Sequence, residues 1–418
     1  MRALLLLPHH PGVTPPPLPV GLAYIAGVLR REGVEVTALV GMPWEAMTDR
    51  LHAEIDRFDL VGMQTFATNI DQCRRLGAWI KSRHPGCVVI AGGTQASNFP
   101  EVLLADGAVD IVALGEGERT TAGILAVMRG DVEPAEVPGL AYRQDGRIQR
   151  NVVGGAIYEM DSIPFPAWDL FYTQRPIPVG HVLTFRGCPY KCANCPVRFP
   201  DGGAVREHSV RRVMEEVDIL VNEYGAASLE FYDETFTLNR QRTLELCAAL
   251  AGRRTPWRCY TRIGHVDEEV LRAMQLAGCQ DVFFGIGTGV PRLMDILESA
   301  VPLDRAREVF TITNRLGLPA TASFSIGLPT ETLAESLATI RYAASLKAGR
   351  ILFQPALPFP GSRLHQTASV HGTFLITDWS RVVGWDQVVY VPHGRHRRGL
   401  QLLIKAAKAA ARLRAATR

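Results

Sequence analysis

The chain has 418 residues, 47% hydrophobic and 21% charged, with a formal net charge of +3. That length exceeds one ordinary domain and that mixture can bury sizeable cores, so two or three globular units are expected and a disordered or fibrous chain is excluded. The small charge excess gives no electrostatic reason to expect nucleic acid, and the longest apolar run near the start, residues 3–7, ends at Pro8, too short for a signal-peptide core or a membrane span; a cytoplasmic enzyme is the expectation.

Residues 1–135 alternate short apolar runs (3–7, 35–39, 60–64, 88–91, 110–114) with segments of helical periodicity (21–32, 44–56, 70–84, 100–106, 118–128). This predicts a Rossmann-like domain, a five-stranded parallel sheet with helices on both faces. Ligands of such sheets bind at the carboxyl ends of the strands. The loops there are 8–20, 64–69, 92–98 and 115–118, rich in glycine and small polar residues. Residues 136–178 read as a hairpin, 140–143 and 147–151 about Asp145-Gly146, and a connector whose prolines disfavour helix. The boundary is expected near Pro178.

From 179 to 360 strands (182–185, 228–232, 257–260, 281–286, 320–326, 351–355) and helices alternate again. The pattern predicts a partial (β/α)6 barrel of the TIM type, with reactive groups at the carboxyl ends of its strands. Residues 361–418 form a small, mostly helical region. In it, 370–394 with Trp379, Trp385 and Tyr390 is expected to close a pocket. The last stretch, 395–418, carries eight Arg or Lys and no acid, with Leu400, Leu403, Ile404, Ala407 and Ala411 at helical spacing. It is a basic amphipathic helix that packs its apolar face on the barrel or meets a membrane surface or an anionic substrate.

Five cysteines, Cys73, Cys87, Cys247, Cys259 and Cys279, stand singly among apolar residues and read as buried thiols. The other three share the run Thr184-Phe-Arg-Gly-Cys-Pro-Tyr-Lys-Cys-Ala-Asn-Cys-Pro196. Three thiolates on one loop suit three irons of a [4Fe–4S] cluster and leave the fourth iron open to a substrate or cofactor. A zinc knuckle would need a fourth ligand, and His181 and His208 fit no usual zinc spacing.

The spacing of Cys188, Cys192 and Cys195, directly after the apolar segment 182–185, resembles the radical S-adenosylmethionine (SAM) superfamily. In that family the open iron chelates SAM, which one electron cleaves to a 5′-deoxyadenosyl radical. The amino-terminal pieces Pro17-Leu-Pro-Val-Gly-Leu-Ala-Tyr-Ile-Ala26, Val61-Gly-Met-Gln-Thr65, Ala91-Gly-Gly-Thr94 and Leu114-Gly-Glu-Gly-Glu118 resemble, in that order, the cobalamin-binding domain of its cobalamin-dependent members. The resemblance implies three cofactors: the cluster, SAM and cobalamin. It places cobalamin against Gln64, Thr65, Phe66, Thr68 and Asn69, with Gly92, Gly93, Thr94, Gly115, Glu116, Gly117 and Glu118 around it. No Asp-x-His-x-x-Gly motif is present, so His9 and His10 read as solvated loop residues and not as cobalt ligands. SAM contacts are expected at Asn194, Tyr232, Asp233, Glu234, Arg262 and Ser323, and Gly327 and Pro329 shape a loop similar to the family's Gly-Leu-Pro-Gly-Glu-Thr. Two positions depart from the family: Asn194 stands where an aromatic precedes the third cysteine, and Gly285-Ile-Gly-Thr-Gly289 replaces Gly-Ile-Glu-Ser-Gly.

The activity so implied is C-methylation of an unactivated carbon in a small-molecule, lipid or peptide substrate. The methyl group passes from SAM through cobalamin, and an external donor such as flavodoxin or ferredoxin supplies electrons. The alternatives are a cyclisation or rearrangement on the same cofactors, or a non-catalytic cobalamin-binding regulator. A tRNA methylthiotransferase is disfavoured because no second cysteine cluster precedes Cys188.

Overall fold

The computed structural model describes the chain except residues 9–18, 41, 43, 198–201, 300 and 417–418. His9 and His10 therefore lie outside the described residues. Two compact units form: one holds Met1–Thr173, Pro196–Gly203 and Asp378–Gly384, the other Gln174–Cys195, Ala204–Thr377 and Trp385–Arg418.

In the first unit β1 (Arg2–Leu7), β2 (Glu35–Val40), β3 (Leu60–Gln64), β4 (Val88–Gly92) and β5 (Ile111–Ala113) are parallel, in the order β2-β1-β3-β4-β5. The connecting helices are α1 (Val20–Arg31), α2 (Trp44–Glu54), α3 (Ile70–Arg83), α4 (Thr94–Asn98), α5 (Pro100–Leu104) and α6 (Gly117–Arg129). Side chains alternate along a strand, and both faces of this sheet are covered. Leu4 and Leu6 pack with Met47, Leu51, Leu76 and Ile80, whereas Ala3, Leu5 and Leu7 pack with Leu22, Ala26, Leu29 and Leu125. This order reverses between β1 and β3, so a crevice for ligand opens beyond their carboxyl ends.

The hairpin, β6 (Leu140–Gln144) and β7 (Arg147–Arg150), belongs to this same sheet. β6 pairs antiparallel with β5, because its apolar start, Leu140 to Tyr142, is buried against β5. The sheet thus has seven strands, five of them parallel as expected. The proline-rich stretch is not a free connector either: Ala167 N donates to the Ala23 carbonyl at 2.9 Å and Trp168 is buried.

In the second unit β8 (Gly180–Val182) precedes the short antiparallel pair β9 (Phe185–Arg186) and β10 (Arg206–Glu207). Then follow α7 (Val210–Asn222), β11 (Leu229–Phe231), α8 (Arg240–Ala251), β12 (Trp257–Thr261), α9 (Glu268–Leu276), β13 (Cys279–Gly287), α10 (Pro291–Leu297), α11 (Leu303–Leu316), β14 (Ala320–Ile326), α12 (Leu333–Ser345) and β15 (Arg350–Pro355). Six parallel strands run in the order β15-β14-β13-β12-β11-β8, the partial barrel expected. The first strand is displaced from 182–185: it stops at Val182, and the chain then turns to satisfy a buried carboxylate described below. After β15 come α13 (Arg363–His371), the antiparallel pair β16 (Gly372–Phe374) and β17 (Tyr390–Pro392), and α14 (Arg397–Ala416). α14 lies along β15 with Leu400, Ile404 and Ala407 buried, so its apolar stripe packs on the barrel. Among the described residues no helix is long and apolar enough to cross a membrane.

Gly93 shows how tightly the crevice backbone is drawn. Its φ is +99°, and a Cβ there would sit 2.8 Å from the Thr65 carbonyl oxygen. Gly93→Ala is expected to lower the unfolding free energy by about 1–3 kcal/mol. An unchanged urea midpoint would contradict that reading.

Candidate active site

The cysteine loop leaves β8 at the carboxyl end of the barrel, where Asp233 determines its path. Asp233 is fully buried, and its Oδ1 accepts from Thr184 N at 2.7 Å and Phe185 N at 3.2 Å while Oδ2 accepts from Thr184 Oγ1 at 2.8 Å. Arg242, also buried, donates to Thr184 Oγ1 at 3.0 Å, to the Thr184 carbonyl at 2.9 Å and to the His208 carbonyl at 2.8 Å. Burial outweighs these bonds and drives the Asp233 carboxyl up to about 6. Asp233 thus spends its oxygens on the loop that carries the cysteines. Sequence reasoning missed the roles of Thr184, which it read only as the start of the cysteine run, and of Arg242, which belongs to no recognisable motif.

The far side of the loop is pinned as well. Ala193 N donates to the Leu297 carbonyl at 2.9 Å and the Ala193 carbonyl accepts from Leu364 N at 2.8 Å. Ala193 itself packs with Leu293, Leu297, Leu328, Ala356 and Leu364. Cys188 and Cys192, between these anchors, are partly exposed, and Cys195, two residues past Ala193, is exposed, in contrast to the five buried thiols. Burial raises the Cys188 thiol above its ordinary value, with Glu234 adding to the effect and the Tyr190 backbone and Arg262 opposing it. Among the described residues no three ligating groups are gathered closely enough for a single metal ion. Three accessible thiols on one anchored loop suit three irons of a cluster.

Around this loop the expected SAM residues take different places. Glu234 is exposed but walled by protein on most sides, which pushes its carboxyl up to about 7. Tyr232 is half-exposed, its ring edge-on to His181 with centroids 5.0 Å apart. Ser323 is buried on β14 opposite Gly285 and Leu352, and Asn194 is exposed. Arg262, just past β12, donates through Nη1 to Cys192 Sγ at 3.4 Å.

The departure at Gly287 has a backbone reason. Its φ is +86°, so a glutamate here would be strained, and the end of the Leu297 side chain, 2.8 Å from where its Cβ would stand, would have to shift. In the loop after β14, Thr330 occupies the glycine position of the family pattern with φ of +63°, held by Arg292 Nη1 donating to its Oγ1 at 2.8 Å. Glu331 Oε2 accepts from Leu328 N at 2.7 Å and from Gly327 N, so a buried carboxylate, in addition to Gly327 and Pro329, shapes the turn.

At the crevice of the first unit the candidates divide by what their side chains already hold. Thr65 Oγ1 donates to the Gly92 carbonyl and accepts from Ala96 N, each at 2.8 Å. Asn69 Oδ1 accepts from Phe66 N at 2.7 Å and Nδ2 donates to the Gln64 carbonyl at 3.1 Å. Both therefore build the loop. Thr68 is buried beside them and Thr94 opens α4. Gly115 N donates to Ser97 Oγ at 3.0 Å, Glu116 Oε2 accepts from Ile157 N at 3.4 Å, Gly117 starts α6 and Glu118 is buried. Buried oxygens of Gln64, Gln72 and Asn98 have no hydrogen-bond partner among the described residues. Unsatisfied acceptors of this kind are costly unless a ligand supplies donors. The carboxamides around a corrin ring are such donors, so these residues fit cobalamin.

Residues 13–125 match the B12 binding domain family and residues 182–343 the radical SAM superfamily. An uncharacterized methyltransferase of Pyrococcus horikoshii is 31% identical, over 97% of this chain and 91% of its own. The cytidylyl-2-hydroxyethylphosphonate methyltransferase of Streptomyces wedmorensis is 28% identical over 83% of this chain and 77% of its own. Among solved structures, the radical SAM methyltransferase TsrM of Kitasatospora setae, with cobalamin and a [4Fe–4S] cluster bound, superposes with a TM-score of 0.78 at 18% identity, covering 97% of this chain and 90% of that one. The fold and anchored thiols define a radical SAM protein with an appended B12 domain. This chain belongs to the cobalamin-dependent radical SAM methyltransferase family.

Within the barrel His181, Glu230, Arg258 and Tyr260 form one polar group. Glu230 accepts from Tyr260 Oη and Arg258 Nη2, each at 2.5 Å, and His181 Nε2 lies 3.6 Å away. Burial lowers His181 from 6.5 to about 4, with Arg258 adding to the effect and Glu230 opposing it. Between those two pH values the unfolded chain binds more protons than the folded one, so acidification through the window favours unfolding. His181→Gln is expected to remove roughly 2 kcal/mol of the stability lost between pH 7 and pH 5. Urea unfolding of both proteins at the two pH values checks this; equal losses would contradict it.

Proposed function

We infer that this protein is a cobalamin-dependent radical SAM C-methyltransferase acting on an unactivated carbon of a small-molecule, lipid or peptide substrate. The observation that carries the reading is a triad of accessible thiols, anchored at the carboxyl end of a parallel barrel, in one chain with a sheet whose strand β3 and helices α3 and α4 carry unsatisfied amide oxygens. When bound, the cofactors supply one-electron cleavage of SAM and a transferable methyl group, chemistry no side chain provides.

The chain's own residues bind and orient. Cys188, Cys192 and Cys195 hold the cluster. Gln64, Gln72 and Asn98 receive amide donors from the corrin rim, the glycines Gly92, Gly93, Gly115 and Gly117 admit its close approach, and Phe66 and Thr68 lie under it. Glu234, crowded and open on one side, accepts the SAM amino group together with the backbone around Tyr232, and Ser323 with Asn194 borders the nucleoside. A low-potential flavodoxin or ferredoxin supplies electrons. The outer face of α14, with Leu402 and Leu413 exposed between Lys and Arg residues, suits an anionic or lipidic surface.

The test is anaerobic reconstitution with iron, sulfide and hydroxocobalamin, followed by SAM carrying a deuterated methyl group and a strong reductant, with mass spectrometry for 5′-deoxyadenosine and label on the corrin. Retained cobalamin, labelled in wild type, with 5′-deoxyadenosine lost when Cys188, Cys192 and Cys195 are all replaced by alanine, is the expected result. Failure of wild type to retain cobalamin would overturn the reading.

A further inference from the structure

Three side chains close a ring of contacts around the middle cysteine. Arg262 Nη1 donates to Cys192 Sγ at 3.4 Å, and Nη2 donates to the Ser299 carbonyl. The guanidinium carbon lies 3.9 Å from the centroid of the Tyr190 ring, a cation–π distance. Tyr190 sits between Cys188 and Cys192, and its hydroxyl hydrogen-bonds His265 Nε2. The His265 amide in turn donates to the Arg262 carbonyl at 3.1 Å, and the Tyr190 and His265 rings meet edge to face at 5.7 Å. The fork of Arg262 is thus aimed by a backbone carbonyl on one side and an aromatic shelf below.

A planar guanidinium is permanently charged, stacks on aromatic faces and keeps its direction once two of its N–H groups are fixed. Such an arrangement needs a reason at this position. Arg262 makes no ion pair among the salt bridges of the described residues, and the group it approaches is a cysteine sulfur. Hydrogen bonds to ligating sulfurs and nearby charge are principal determinants of cluster potential.

We propose that Arg262, aimed by Tyr190 and His265, is a positioning residue that tunes the cluster through Cys192, and not a clamp for the SAM carboxylate. This rests on the cluster assignment above. When the cluster takes up one electron from a low-potential reductant, no bond breaks and its net charge becomes one unit more negative. A fixed cation and an N–H donor at one thiolate stabilise that form. Arg262 therefore raises the reduction potential, and Tyr190 acts on the cluster through Arg262.

The experiment is a mediated redox titration of the reconstituted protein, followed by the electron paramagnetic resonance of the reduced cluster. Wild type, Arg262→Lys, Arg262→Gln and Tyr190→Leu are compared, with iron content and SAM binding measured in parallel. Arg262→Gln is expected to disfavour reduction about tenfold, a negative shift of about 59 mV for a one-electron couple. Arg262→Lys keeps the charge but loses the fork, and Tyr190→Leu keeps the charge but loses the shelf, so both fall between. Should Arg262→Gln take up no cluster, the Tyr190→Leu shift decides in its place. Full clusters with unchanged potentials and spectra, accompanied by weaker SAM binding in the Arg262 variants, would overturn the proposal and return Arg262 to SAM. A wild type without a cluster would instead sink the family reading.

Discussion

The buried carboxylate of Asp233 is the constraint on which the barrel's chemistry depends. It ends one strand early, redirects the chain at Thr184 and Phe185, and requires Arg242 as its countercharge. Breaking a buried, hydrogen-bonded charge cluster of this kind costs about 3–5 kcal/mol. That cost is the strength with which the cysteine loop is held at its root. A second anchor, backbone bonds of Ala193 within an apolar cluster, lies further along, so two partly exposed thiols stand between two fixed points and the third, exposed, follows the second. Rigid support of a reactive loop is what lets a group of side chains keep the geometry that an open iron needs.

The amino-terminal sheet solves a related problem by other means. Its two apolar faces bury helices on both sides, and the reversal of strand order between the paired strands β1 and β3 leaves a crevice beyond their carboxyl ends. The loops there are stiffened from within: Thr65 ties β4 to α4, and Asn69 folds its own loop. The side chains of Thr65 and Asn69 are engaged in the frame of these loops, while buried amide oxygens of Gln64, Gln72 and Asn98 have no hydrogen-bond partner among the described residues.

Strand and helix positions were legible in the sequence wherever apolar periodicity was strong, as in residues 3–7, 60–64 and 320–326. The cysteine triad was legible from spacing alone. Hidden were features set by tertiary pairing. The hairpin at 140–150 reads locally as a hairpin, but nothing local says that Leu140 to Tyr142 will extend the parallel sheet. Asp233 and Glu234 are adjacent acids in the sequence, yet one is buried in hydrogen bonds and the other faces outward. Arg262 reads as an anion binder, and only the tertiary approach of Tyr190 and Cys192 from a distant segment shows what its guanidinium touches. Gly287 looks like a lost glutamate until its positive φ and the nearness of Leu297 explain the glycine.

The most direct measurement of this account is amide hydrogen exchange across residues 184–195 in Asp233→Ala and wild type, with iron counted per chain after reconstitution. Faster exchange confined to that loop and its Arg242 neighbourhood, together with loss of bound iron and an unchanged amino-terminal sheet, is the predicted result. A loop that stays protected and retains four irons without Asp233 would contradict the claim that this carboxylate holds the cysteines in place.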